Sequence, residues 1–222
     1  QKQSLITAEM LLEKAEVGTV VLKKLIDYGV LEVYTEAVDR VSFASDSDTL
    51  ALSPAQEKAL QEIEASFAEK NTVLLHGVAS SGKTQIYSKL IEQTLAQGKQ
   101  VLYLLPEVGI SVQLTNRLEH FFGDQMSVYH NKYSTHERVE VWNNVLAQKE
   151  KAQFVLGVRT AVFLPFHNLG LVIVDEEHDL SYKQAEGQGG YQVRDVALML
   201  AHLHEAKTLL GSATPSAESY YN

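Results

Sequence analysis

Eight consecutive residues, Gly77-Val78-Ala79-Ser80-Ser81-Gly82-Lys83-Thr84, follow the pattern G-x-x-x-x-G-K-[ST]. An apolar run, Thr72 to Leu75, precedes them, and a helix-like stretch, Gln85 to Gln97, follows. Strand, glycine loop and helix in that order fix both a local fold and a chemistry. The glycines let the backbone curl so that its N–H groups face one concavity, and the helix adds the positive end of its dipole. Such a cradle suits the phosphates of a nucleotide. Lys83 can reach the β- and γ-phosphates of ATP, and the Thr84 hydroxyl can hold Mg²⁺.

A phosphate cradle of this kind needs a carboxylate partner. Leu171-Val172-Ile173-Val174 is a continuous apolar run, as expected of a buried parallel strand. It ends in Asp175-Glu176-Glu177-His178. Acids at the carboxyl end of such a strand stand where open α/β sheets bind ligands. Asp175 is placed to hold the Mg²⁺ hydration shell, and Glu176 to orient and deprotonate an attacking water. Adjacent carboxylates repel, so a cation or solvent must accompany them.

A third strand, Thr208-Leu209-Leu210, leads into Gly211-Ser212-Ala213-Thr214-Pro215. The order of P-loop, Asp-Glu-Glu-His and Ser-Ala-Thr is that of motifs I, II and III of a superfamily 2 helicase. Five segments sharpen the likeness: GVASSGKTQIY (77–87), LPEVG (105–109), GVRTAVF (157–163), DEEHDLSYKQ (175–184) and GSATP (211–215). On these, residues 52 to 218 resemble the primosomal replication-restart helicases of bacteria. The Ser-Tyr-Lys-Gln run is the most diagnostic piece.

The resemblance implies an ATP-dependent 3′–5′ DNA helicase acting at stalled forks, with ATP and Mg²⁺ as cofactors. Its implied partners are single-stranded and forked DNA, with primosome and single-strand-binding proteins joining the full-length protein. Residue by residue, it implies adenine contact by Gln56, which lies 21 positions before Gly77. It implies coupling of the nucleotide site to motif III through His178, Ser212 and Thr214. Arg159 and Thr160, after a strand at 154–157, fall on motif Ib and can bond phosphate oxygens. Tyr182, Lys183, Tyr191 and Arg194 are the remaining DNA candidates, by stacking and phosphate contact, with a buried anchor as the alternative for the aromatics. Two departures stand out. Ala79-Ser80 replaces the usual Thr-Gly of the P-loop. Gly187-Gln188-Gly189-Gly190 replaces a Pro-Arg-Tyr-like segment before Tyr191.

The expected fold is α/β: a RecA-like parallel sheet flanked by helices, preceded by a small winged-helix-like domain. Residues 1–44 would form that domain, 45–51 a polar linker, and 52–222 the first motor lobe. A helix from Ile6 to Lys14, a second with a stripe at Val17, Val20, Val21, Leu25 and Tyr28, and strands at 30–34 and 37–41 make up the winged reading. Ser53 caps a helix with Pro54 in its first turn. Further strands are expected at 101–105 and 127–129. Trp142, in a helical pattern over 137–148, is expected in the core. His130 ends a strand, with or without a functional role.

The 222 residues contain no cysteine, which excludes a disulfide framework and a Cys-type zinc site. No apolar run reaches the length of a membrane span, and Gln1-Lys2-Gln3-Ser4 does not open a signal peptide. A cytoplasmic, monomeric protein is expected. A net charge of −9 argues against a large basic nucleic-acid surface. The sequence stops eight residues after Thr214, so a second motor lobe and the zinc module of the family are expected to lie elsewhere. One lobe should bind nucleotide and hydrolyse it poorly. The alternatives are a nucleotide-gated binding module for DNA or protein, and a translocase without strand separation.

Overall fold

The structure is a computed structural model that describes residues 19–28, 30, 51–107, 109–184 and 190–221. The chain divides into two compact units, residues 1–45 and 46–222. In the first, helix α1 spans Thr19–Asp27. Leu25 and Ile26 on it are half-buried, whereas Val21 and Tyr28 are exposed, so the expected apolar stripe holds only in part. The other expected helix and both strands of the winged reading lie outside the described residues.

The second unit is built on a six-stranded, wholly parallel sheet, in the order β1-β8-β5-β2-β4-β3. Its strands are β1 (Thr72–His76), β2 (Gln100–Leu104), β3 (Met126–Tyr129), β4 (Phe154–Gly157), β5 (Leu169–Asp175) and β8 (Lys207–Ser212). Helices α2 (Pro54–Glu69), α3 (Lys83–Ala96), α4 (Val112–Phe122), α5 (Thr135–Leu146) and α6 (Val193–Leu203) cover it. A short antiparallel pair, β6 (Lys183–Gln184) and β7 (Tyr191–Gln192), and a last turn of helix, α7 (Ala217–Tyr221), complete the unit.

The apolar runs are continuous because the sheet is covered on both faces. Side chains alternate between faces along each strand. Leu171 and Ile173 of β5 join Val101 and Tyr103 of β2 and Leu209 of β8 in one cluster, packed on α2, α3 and α4. Val172 and Val174 join Leu102, Leu104 and Leu210 in the other, packed on α5 and α6. The start of α2 is closed by a reciprocal capping box: Ser53 Oγ accepts from Gln56 N–H at 3.3 Å, and Gln56 Oε1 accepts from Ser53 N–H at 2.8 Å.

Strand order and register bring the chemistry-bearing loops together. His76 of β1 lies opposite Ser212 of β8, and Gly211 of β8 lies opposite Asp175 of β5. The three loops named in the sequence therefore leave one end of the sheet side by side. Leu104, Gly157 and Tyr129 are likewise in register, so the loops after β2, β4 and β3 form a second group.

Glu177 ties the loop after β5 to the segment after β8. Its carboxylate is fully buried and accepts from Ser216 N–H (2.7 Å), Ser219 Oγ (2.8 Å), Ser216 Oγ (3.2 Å) and Arg194 Nη1 (3.4 Å). Burial pushes its pKa up, but these donors outweigh burial and hold it below the usual carboxylate value. The linked stability is fully present above the unfolded value and is lost as pH falls through the lower folded one. Acid titration of stability should thus show a Glu177 component, and Glu177→Gln should flatten the slope in that acid range. An unchanged slope would refute the assignment. Gly211 offers a second check. A Cβ there would collide with the Tyr87 hydroxyl, so Gly211→Ala should cost about 1–3 kcal/mol in denaturant unfolding.

Candidate active site

β1 runs straight into the glycine loop. Gly77 N–H donates to the Ser212 carbonyl at 3.0 Å, which pins the loop to β8. Ser80 and Gly82 have φ of 60° and 80°, so the chain passes twice through the left-handed region before α3 begins at Lys83. Gly82 makes no side-chain cap, which leaves the first N–H groups of α3 to an anion. Lys83 is buried; its Nζ donates to the Gly77 carbonyl at 3.0 Å and lies 3.8 Å from Glu176 Oε1. The lysine thus bridges the loop and the acidic motif.

Gln56 reaches the same loop from α2. Its Nε2 donates to the carbonyls of Ser81 and Gly82, each at 3.3 Å. With Oε1 accepting from Ser53 N–H, both ends of the amide are bonded to backbone groups. The sequence expectation gave this amide to adenine; its placement here is against the P-loop backbone.

Asp175, at the end of β5, is buried. Its Oδ1 accepts from Tyr87 O–H at 2.9 Å and from Glu176 N–H at 3.1 Å, and its Oδ2 accepts from Tyr103 O–H at 3.1 Å. Burial raises its pKa, the Tyr87 hydrogen bond opposes that, the neighbouring Glu176 adds to it, and the net shift is upward. Glu176 has φ of 48°, and its carboxylate lies within ion-pair distance of Lys83. His178 Nδ1 lies 2.7 Å from Ser212 Oγ and 3.7 Å from Glu176 Oε2. Ser212 Oγ also accepts from Thr214 N–H at 3.0 Å. All three motifs expected to act together are in contact.

The donor set suits a hard cation. Among the described residues, no three His, Cys, Asp or Glu side chains converge into a metal cage. Mg²⁺ does not require one: it keeps several waters and is held through one or two carboxylates and the substrate phosphates. Asp175 ends β5 and Thr84 stands in the first turn of α3, so both candidate oxygen donors belong to the loop cluster at this end of the sheet.

The second loop group carries a polar cluster. Asn131 Nδ2 donates to Glu107 Oε1 at 2.7 Å, Arg159 Nε lies 3.7 Å from the same oxygen, and Thr160 Oγ1 donates to Asn131 Oδ1 at 3.3 Å. With Ile110, His130, Lys132 and Val158, Glu107 and Asn131 line a cavity of about 90 Å³. Burial, then the nearby Lys132, holds the His130 pKa below its ordinary value.

Three expectations are corrected. Tyr182 is fully buried, with its hydroxyl on the Asp175 carbonyl at 2.9 Å, so neither ring face is open to a base. Arg194 is committed to Glu177, Ser216 and Ser219, with little of its side chain exposed. Trp142 is 41% exposed rather than in the core. Lys183 is exposed, and Tyr191 is half-buried with its ring edge-on to Phe163 at 5.3 Å. Sequence reasoning missed Tyr103 and the role of Tyr87. The signal was there: a hydroxyl inside an otherwise apolar buried strand must find a partner.

Residues 53–222 match the DEAD/DEAH box helicase family. The replication restart protein PriA of Bacillus subtilis (strain 168) is 38% identical over 222 residues, covering 97% of this chain and 27% of that protein. PriA of Synechocystis sp. is 44% identical over 170 residues, covering 77% of this chain and 20% of that protein. The chain thus spans about a quarter of the length of the curated relatives it matches. Among solved structures, RecG bound to a three-way DNA junction aligns with TM-score 0.54 at 22% identity, over 92% of this chain and 24% of that one. The UvsW helicase of bacteriophage T4 aligns with TM-score 0.51 at 17% identity, over 86% of this chain and 60% of that one. Both likenesses concern the fold: a RecA-like α/β core. With its P-loop, acidic motif and Ser-Ala-Thr loop meeting at one end of a parallel sheet, the chain belongs to the DEAD/DEAH box helicase family and is related to the PriA replication restart proteins.

Proposed function

We propose that this chain is the nucleotide-binding lobe of an ATP-driven DNA motor that acts in replication restart as part of a longer protein. The observation that carries the reading is the convergence of Lys83, Asp175, Glu176 and the His178–Ser212 pair on one loop cluster. The family match and the PriA relatives support the choice of ATP and DNA.

In this reading the loop N–H groups from Gly77 to Thr84 cradle the phosphates, and Lys83 exchanges the Gly77 carbonyl for the β- and γ-oxygens. Bound Mg²⁺ would supply charge neutralisation on the phosphates. Thr84 and Asp175 hold its shell, and Glu176 orients a water and takes its proton. Gln56, released from the loop carbonyls, reads the adenine edge. His178, Ser212 and Thr214 pass the state of Glu176 to the end of β8. Single-stranded or forked DNA would lie across the other loop group, with Arg159 and Thr160 on phosphates and Lys183 and Tyr191 at the hairpin. Primosome and single-strand-binding proteins are the proposed partners of the longer protein, and the cytoplasm its location.

A fluorescent ATP analogue with Mg²⁺ should bind saturably, and Lys83→Ala should abolish saturation over the same range. Equal binding by the two proteins would overturn the reading. Ser80 generates a further expectation. A non-glycine residue in the left-handed region carries roughly 1–2 kcal/mol of strain. Ser80→Gly should therefore keep nucleotide affinity and leave thermal stability equal or higher. Lost affinity would show that the serine hydroxyl itself contacts the ligand.

A further inference from the structure

Three tyrosines from three elements converge on Asp175. Tyr87 comes from α3, Tyr103 from β2 and Tyr182 from the turn after the acidic motif. All three are fully buried. Tyr182 holds the backbone carbonyl; the other two hold the carboxylate, one on each oxygen. Tyr87 and Tyr103 also brace each other edge-on, with ring centroids 5.5 Å apart. Gly211 leaves the space that the Tyr87 hydroxyl occupies.

An ionised carboxylate offers about four lone-pair positions. On Asp175, Oδ1 accepts two hydrogen bonds, from Tyr87 and from Glu176 N–H, while Oδ2 accepts one, from Tyr103. Among the described residues one position remains without a donor, on Oδ2. We propose that Tyr87 and Tyr103 are positioning residues: they fix the Asp175 carboxylate so that its one open acceptor, on Oδ2, meets the hydrated Mg²⁺ of the bound nucleotide. The inference rests on the reading of Asp175 as the metal-holding acid. The device also ties that acid to the helix behind the P-loop and to the strand that runs into Leu105-Pro106-Glu107.

Groups that orient a metal-holding side chain typically change metal affinity by about 10–100-fold when removed. The test is titration of the protein with a fluorescent ATP analogue, with Mg²⁺ and in EDTA, for the unsubstituted chain, Tyr87→Phe, Tyr103→Phe and Asp175→Asn. Each phenylalanine keeps the ring and removes one donor. The Mg²⁺-dependent gain in affinity should fall about tenfold or more in both variants, while affinity in EDTA stays unchanged. A full gain in both, with the gain lost in Asp175→Asn, overturns the proposal alone. Equal losses with Mg²⁺ and in EDTA also overturn it, because the tyrosines would then serve packing only. A gain kept in Asp175→Asn overturns the assignment of Asp175 itself, and the tyrosine proposal with it. Should a variant fail to fold, the unsubstituted protein labelled with carbon-13 at tyrosine Cζ gives the answer. The Tyr87 and Tyr103 signals should shift when Mg²⁺ joins the bound nucleotide, and unmoved signals refute the proposal.

Discussion

Backbone pairing between β8 and its two neighbours decides where the P-loop, the acidic motif and the Ser-Ala-Thr loop stand. β8 sits between the strand that feeds the P-loop and the strand that ends in the acids. The ladder sets Ser212 against His76 on one side and Gly211 against Asp175 on the other. A slip of one residue along either ladder would reverse the faces of a whole strand. It would separate Ser212 from His178 and push a side chain into the space of Tyr87. The burial of both sheet faces makes such a slip expensive, since the apolar residues of the central strands are divided between two packed layers. Hydrophobic packing thus sets the precision of a polar site.

The electrostatics are local rather than global. The net charge of −9 says little about the site, because the acids that matter are handled one at a time. Asp175 is offset by phenol donors, Glu176 by Lys83, and Glu177 by Arg194 and two serines. The opposite pKa shifts of Asp175 and Glu177 follow from this. Both are buried, but Glu177 collects a backbone N–H, two hydroxyls and a guanidinium, enough to reverse the effect of burial. Three neighbouring carboxylates are tolerable because they do not share one environment.

Much of the sheet was legible in the sequence, because period and length report burial directly. The six strand positions expected within residues 52–222 are strands, within a residue or two at their ends. The contacts among motifs I, II and III were legible as well, since each motif ends a strand. What the sequence hid were partners far apart along the chain. Tyr87 and Asp175 are 88 positions apart, and nothing local marks them as a pair. Tyr182 misled for a different reason: an aromatic with a hydroxyl beside a lysine in a polar loop reads as a surface contact, yet the ring fills the core while its oxygen caps a strand end. Arg194 was hidden similarly, since its partners come from residues 177, 216 and 219. Trp142 shows the converse, an apolar residue in a helical pattern that the fold leaves outside.

Among the described residues, four that are not glycine have positive φ: Ser80, Gln148, Glu176 and Glu205. Gln148 and Glu205 follow the ends of α5 and α6, where a left-handed residue is the ordinary way to stop a helix. Ser80 and Glu176 have no such excuse. They sit in the glycine loop and the acidic motif, the two segments that Lys83 joins. Left-handed non-glycine backbone outside helix ends thus falls in the two loops that Lys83 joins. A substitution chosen only to raise the melting temperature would find gains at both, but at Glu176 it would also remove the carboxylate that lies 3.8 Å from Lys83.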